Sequence, residues 1–198
     1  MKLIAATNNP NKLNEFRDIF RPAGIGIVSM VEAGVSSEPA ETGETLEENA
    51  RIKARALWNQ CRKPVIADDT GLFVDALNGE PGLKSARFSG GDHDDDANID
   101  LLLERMKNVP EEERTARFIT ALCYIDADGN ERIVHGCCEG WITFERMGRG
   151  FGYEPVFCLN NGFSLAMMGQ EKKDLRSHRA RACHKLAYHL RNIKKIRN

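Results

Sequence analysis

Residues 64–72 read Pro64-Val65-Ile66-Ala67-Asp68-Asp69-Thr70-Gly71-Leu72. The first four are an apolar run, too short for a helix and rich in β-branched side chains, which predicts a buried strand over 64–67. Two adjacent carboxylates, Asp68 and Asp69, then follow with Thr70 and Gly71, so charge is expected where a strand leaves its sheet. In open α/β sheets ligands bind at that end of the strands. Neighbouring acids repel and are costly to take out of water unless a cation lies between them. The pair is therefore either a divalent-metal or catalytic centre, or a turn of the kind Asp and Gly commonly make.

Upstream, residues 2–7 form a compact strand that runs into the turn Asn8-Asn9-Pro10, with proline at the first helical position. Leu13, Phe16, Ile19 and Phe20 then recur at helical spacing. Strand, turn and helix N-terminus in succession give either a phosphate-binding geometry with open N–H groups, near Asn9 and Lys12, or a plain β–α turn. A second strand is expected over 25–30, then a polar loop over 36–43 carrying Glu38 and Glu41. The pattern Thr45-x-x-Glu48 is a capping box and predicts a helix over 45–61. On that helix Leu46, Ala50, Lys53 and Leu57 share one face, so Lys53 lies in an apolar stripe. Its ammonium either snorkels to solvent or points into a cleft towards phosphate or the two acids.

Downstream, 72–77 reads as another strand, Asn78-Gly79-Glu80-Pro81-Gly82 as a firm turn and 85–90 as an exposed loop. Asp92-His93-Asp94-Asp95-Asp96 lacks the spacing of a calcium loop and is read as the acidic cap of a helix carrying Ile99, Leu102 and Met106. Residues 114–126 and 131–145 are long strands joined by a hairpin over 126–130. Gly148-Arg149-Gly150-Phe151-Gly152-Tyr153-Glu154-Pro155 is a glycine-rich loop whose two rings either stack on a base or pack an edge. The last helix starts at Ser177 as N-cap, with Lys172, Lys173, His178 and Arg179 around its first turn, a setting that suits an anion or a carbonyl edge. Its terminal residues Arg191, Lys194, Lys195 and Arg197 read as a solvated basic face.

A net charge of −1 provides no global field for a polyanion, so no nucleic-acid partner is expected. At 198 residues and 41% hydrophobic content the chain can bury a real core, as one large domain or two closely packed lobes, and no apolar stretch long enough for a membrane span or signal peptide is expected in it. A cytoplasmic location with reduced thiols at its six cysteines follows as an expectation.

Six stretches, in order, resemble the inosine triphosphate pyrophosphatase family, the non-canonical purine (XTP/dITP) pyrophosphatases. They are Thr7-Asn8-Asn9-Pro10-Asn11-Lys12 with Glu15; Glu41-Thr42-Gly43 with Glu48-Asn49-Ala50 and Lys53-Ala54; residues 67–72; Pro81-Gly82 with 85–90; 150–155; and Lys173 with Ser177-His178-Arg179. The resemblance implies one domain over 1–198, an elongated two-lobed α/β fold. A central mixed sheet flanked by helices and a nucleotide cleft between the lobes would complete it, in a homodimer. It further implies magnesium-dependent hydrolysis of ITP, dITP and XTP to the monophosphate and pyrophosphate. Residues Thr7, Asn8, Asn9, Pro10, Asn11, Lys12 and Lys53 would bind the triphosphate; Glu41, Asp69 and its neighbour Asp68 would serve Mg²⁺, with Asp69 also the proton acceptor. Thr70 would add a hydroxyl to substrate binding. Phe151, Gly152, Tyr153, Glu154, His178 and Arg179 would form the base pocket, helped by Lys173.

The residue chemistry agrees with that activity, since phosphoryl transfer needs charge neutralisation and a placed water more than covalent chemistry. Four departures stand out: Thr70 where serine is usual, Glu154 where aspartate is usual, the loop Gly148-Arg149-Gly150 before it one residue shorter and carrying an arginine, and Met167 where glutamate is common. A D-x-D phosphatase is disfavoured by Asp68-Asp69-Thr70, and a binding-only nucleotide sensor by the presence of both Lys53 and Asp69.

Overall fold

The structure, a computed structural model, describes residues 1–91, 94–159 and 162–196. Its elements are β1 (Lys2–Ala5), α1 (Pro10–Phe20), β2 (Gly26–Ser29), α2 (Leu46–Cys61), β3 (Val65–Val74), β4 (Pro81–Gly82), α3 (Asp95–Arg105), β5 (Thr115–Ile125), β6 (Glu131–Ile142), β7 (Phe157–Cys158), α4 (Gln170–Arg176) and α5 (His178–Ile196). The sheet is mixed, in the order β2-β1-β3-β5-β6-β7, with β4 paired to β3. Asp92 and His93 lie outside the described residues, as do Arg197 and the side chains of Lys194 and Lys195, so the readings made there stand as expectations. Among the described residues no helix is long and apolar enough to cross a membrane.

Two compact units are built from this chain. The first takes Met1–Asp69, Thr120–Gly136 and the segment from Asp174. In it β1 pairs in parallel with β2 and β3, Ile4 lying opposite Val65 and Ala5 opposite Ile66. Leu3, Ala5 and Ile66 pack with Phe16 and Phe20 of α1 and with Cys183 and Leu186 of α5 in one core. Each large side chain so buried contributes on the order of 2 kcal/mol. α2 starts at the Thr45 cap, the Glu48 N–H donating to Thr45 Oγ1 at 3.1 Å, while the Glu48 carboxylate reaches one residue further back than a strict capping box and accepts from the Glu44 N–H at 2.7 Å. Its stripe of Leu46, Ala50, Ala54 and Leu57 is buried. At Gly136 a Cβ would run into the His178 carbonyl and lie 2.7 Å from the Ala182 nitrogen, so only glycine lets the start of α5 close on β6.

The second unit takes Thr70–Ile119 and Cys137–Lys173. Leu72, Ile99, Leu102, Phe118, Phe157 and Leu165 form its core, with the Phe118 and Phe157 rings 4.7 Å apart. Arg114 is buried there, and its guanidinium donates to the carbonyls of Ile142, Met106, Val109 and Thr143 at 2.7–3.3 Å. Those bonds gather three chain segments that would otherwise leave buried carbonyls open.

Two expectations are corrected here. The strand of 64–67 does not end at the acids: β3 runs on to Val74, so 72–77 is no separate strand but its end and a 3-10 turn at Asp75–Leu77. The acids are tolerated inside a strand because each meets cations on its own side of the sheet, as described below. The 85–90 loop is not wholly exposed either. Ser85 is buried, accepting from the Leu72 N–H at 2.8 Å and donating to the Gly82 carbonyl at 2.6 Å, which ties the loop to the β3–β4 hairpin.

Candidate active site

Alternation along β3 sends Asp68 and Asp69 to opposite faces. Ile66 and Asp68 face α1 and α5; Asp69 faces α2. On the α2 face Lys53 Nζ lies 2.8 Å from Asp69 Oδ1 and 3.3 Å from Glu41 Oε1. One turn back on the same helix face, Asn49 donates to Asp69 Oδ2 at 3.4 Å and accepts from the Gly43 N–H at 2.8 Å, fixing the end of the loop that carries Glu41. Lys53 therefore does not snorkel: its side chain is 14% exposed and its ammonium ends between two carboxylates. Burial works against its charge, yet Asp69, Asp68 and Glu41 together raise its pKa above the ordinary lysine value. Asp69 is also raised, because burial outweighs the opposing pull of Lys53.

On the α1 and α5 face Asp68 is committed to two cations, Lys12 Nζ at 3.1 Å and Arg179 at 3.1 and 3.2 Å. Arg179 also donates to Glu15. Burial alone would push the Asp68 carboxyl up, but Lys12, Arg179 and Lys53 hold it well below the usual carboxylate range. Burial lowers the Lys12 pKa, with Asp68 pulling the other way. Arg179 is 1% exposed and all three guanidinium nitrogens engage carboxylates. Beside it, burial and the Arg179 charge keep the His178 imidazole neutral.

At the start of α1 the open N–H groups expected from the turn are already taken. Asn9 caps the helix with its side-chain oxygen, accepting from the Asn11 N–H at 2.9 Å and the Lys12 N–H at 3.2 Å, while the Asn9 N–H donates to Thr7 Oγ1 at 3.1 Å. Asn8 and Pro10 complete that turn, and Lys12 is left as its cationic contact. Ser177 caps α5 as read, accepting from the Ala180 N–H at 3.2 Å.

In the second unit Glu154 is buried and paired through both carboxylate oxygens with Lys173 Nζ at 3.1 Å. The Phe151 N–H donates to Glu154 at 3.3 Å, so this glutamate organises its own loop. The two aromatics divide the alternatives left open above: Tyr153 is buried in the core of this unit and donates its hydroxyl to the Ser85 carbonyl at 2.8 Å, whereas Phe151 is half-buried. Gly152 separates them at φ +58. Thr70 follows Asp69 on β3, half-buried, and Met167 is exposed.

The structure thus brings Lys53, Asp69 and Glu41 together, gathers Asp68 with Lys12, Arg179 and Glu15, and joins Glu154 to Lys173. Sequence reasoning missed Asn49 and gave Glu15 no partner; Asn49 was detectable as the polar residue one turn before Lys53, but nothing local pairs Glu15 with a residue 164 positions away. Among the described residues no group of three or more His, Cys, Asp or Glu side chains forms a metal cage. Magnesium needs none, since it is held by one or two carboxylates together with waters and substrate phosphates. The hard oxygens of Glu41 and Asp69, which already converge on one cationic group, fit that requirement.

The chain is similar to known proteins along its length. A dITP/XTP pyrophosphatase of Bacillus cereus is 43% identical over 189 residues, covering 93% of this chain and 92% of that protein. One of a Thermoanaerobacter species is 45% identical over 188 residues, covering 94% of each. The solved structure of the Staphylococcus aureus Ham1 protein superposes with a TM-score of 0.85 at 36% identity, covering 97% of this chain and 99% of that one. With the Ham1 family model matching residues 3–189, which hold both acids of β3, Lys53 and Arg179, the chain belongs to the Ham1 family.

Proposed function

We propose that this protein hydrolyses non-canonical purine nucleoside triphosphates, ITP, dITP and XTP, at the anhydride bond between the α and β phosphates, giving the monophosphate and pyrophosphate. The observation that carries the reading is the cluster of Lys53, Asp69 and Glu41, where a buried carboxyl with a raised pKa sits against an ammonium held for an anion. A base whose pKa is raised towards working pH accepts a proton more readily, so Asp69 takes the proton of the attacking water. Lys53 and Lys12 bind the triphosphate, and Glu41 with Asp69 would hold Mg²⁺. When bound, the ion supplies charge neutralisation on the phosphate oxygens. Asp68 anchors Lys12 and Arg179, both of which meet its Oδ2.

Hypoxanthine and xanthine carry a carbonyl at C6 where adenine carries an amino group, so an N–H donor selects them and leaves the amino group of adenine without an acceptor. The neutral imidazole of His178 has one such N–H. The loop of Phe151 to Glu154 and Lys173 is assigned to the base as well. The working form is a homodimer in the cytoplasm, with its mass in solution to be read by light scattering. The test of the function is pyrophosphate release with Mg²⁺ from ITP, dITP, XTP, GTP, ATP and dTTP. Preference for the first three is expected; equal rates on all six would remove the base assignment, and no release from any would remove the reaction.

A further inference from the structure

The acidic start of α3 reads as a helix cap, and among the described residues Asp94 provides it, its carboxylate accepting from the Ala97 N–H at 3.0 Å. The carboxylate of Asp95 is spent elsewhere: it accepts from the Gly152 N–H at 2.7 Å, 57 residues away in the chain. The same helix holds the loop at its other end, where Arg146 donates to Asp100 at 2.7 Å and to the Asp96 carbonyl at 3.0 Å. Asn98, buried one turn along, accepts from the Ser89 N–H at 2.7 Å and donates to the Ala86 carbonyl at 3.2 Å. The two loops so held are joined to each other by the bond from the Tyr153 hydroxyl to Ser85.

Gly152 is the weak point of this arrangement. It sits at φ +58, a left-handed conformation that glycine adopts without strain but also leaves easily, since it has the widest backbone freedom of any residue. Phe151, immediately before it, is the half-buried ring of the loop. A charge-assisted bond to the Gly152 N–H therefore narrows the directions in which that ring is presented. We infer that Asp95 is a positioning residue for nucleobase recognition, acting through the Gly152 peptide on Phe151. The inference rests on the assignment of residues 151–154 to the base.

Asp95 acts through the Gly152 N–H, so its loss acts on base binding and leaves the chemical step alone. Steady-state pyrophosphate release from ITP with Mg²⁺ is compared for the wild type, Asp95→Ala, Asp95→Asn, Glu104→Ala and Phe151→Ala. Asp95→Ala is expected to raise KM by roughly fivefold, the worth of one charge-assisted bond at an exposed site, with kcat within about twofold. Asp95→Asn keeps an acceptor oxygen and recovers most of the affinity. Glu104→Ala, which removes an acid from the far end of α3, matches the wild type and excludes a general charge effect. An unchanged KM in Asp95→Ala beside a raised KM in Phe151→Ala overturns the inference while the loop assignment stands. An unchanged KM in Phe151→Ala removes the loop assignment and the inference with it. Equal loss of kcat in Asp95→Ala and Asp95→Asn would also overturn it, since positioning through a backbone N–H requires the acceptor, not the charge.

Discussion

Glu15→Gln tests the buried charge set of the first unit. Two cations, Arg179 and Lys12, meet two carboxylates, Asp68 and Glu15, so the set is neutral as it stands. Glu15 is 7% exposed and Arg179 1%. The substitution keeps the shape and leaves one uncompensated positive charge out of water. Removing one partner of a buried pair costs about 3 kcal/mol at the low end of the measured range, and Lys12, with a side chain 19% exposed, can shed some of that strain to solvent. A drop in Tm of roughly 6–12 °C follows for a chain of this length. Arg179→Met leaves the opposite imbalance, two carboxylates against Lys12. The double variant restores neutrality around Asp68 and Lys12, and should be more stable than the sum of the single losses predicts by about 1–3 kcal/mol. Urea and thermal unfolding followed by circular dichroism, without nucleotide, read all three. A Glu15→Gln protein within about 0.5 kcal/mol of the wild type, or strictly additive losses, would refute the neutral-set argument.

Asp69→Asn should leave the fold intact and lower kcat at least about 100-fold, the usual worth of a general base; near wild-type turnover would remove Asp69 from that role. Lys53→Met should raise KM for ITP or lower kcat by roughly tenfold or more, because a charge-assisted phosphate contact is lost, and unchanged kinetics would show that the ammonium meets solvent rather than substrate. Burial pushes the Cys123 thiol up to about 12, so its thiolate is scarce at pH 8 and alkylation of the folded protein should spare it while the half-exposed Cys61 reacts. Peptide mass mapping after brief iodoacetamide treatment decides it: early modification of Cys123 would contradict its burial.

The local signals read well because they depend on neighbours in the chain. The Thr45 cap, the Ser177 cap, the hairpin at 126–130 and the apolar stripe of α2 all involve groups within about one turn, and each is where the pattern placed it. Motif order likewise carried the family assignment, since six short stretches in one order are specific even when each alone is weak. What misled was punctuation. Asp-Asp-Thr-Gly after an apolar run looks like the end of a strand, because an acid in a strand is costly until something pays for it.

That compensation comes from far away in sequence. Asp68 is satisfied by Lys12 and by Arg179, 111 residues on, and Asp69 by Lys53, so only the packed α1, α2 and α5 around β3 make a ten-residue strand through two acids possible. By itself the chain determined its helices α1, α2, α3 and α5, the long hairpin, the helix caps and its family, all products of local periodicity and short motifs, but not where β3 ends or the short β4, β7 and α4. The tertiary structure alone decided which acid faces which helix, that Lys53 ends between two carboxylates, and that Asp95 holds Gly152. Those are matters of side-chain direction and through-space charge, and a one-dimensional pattern does not encode distance.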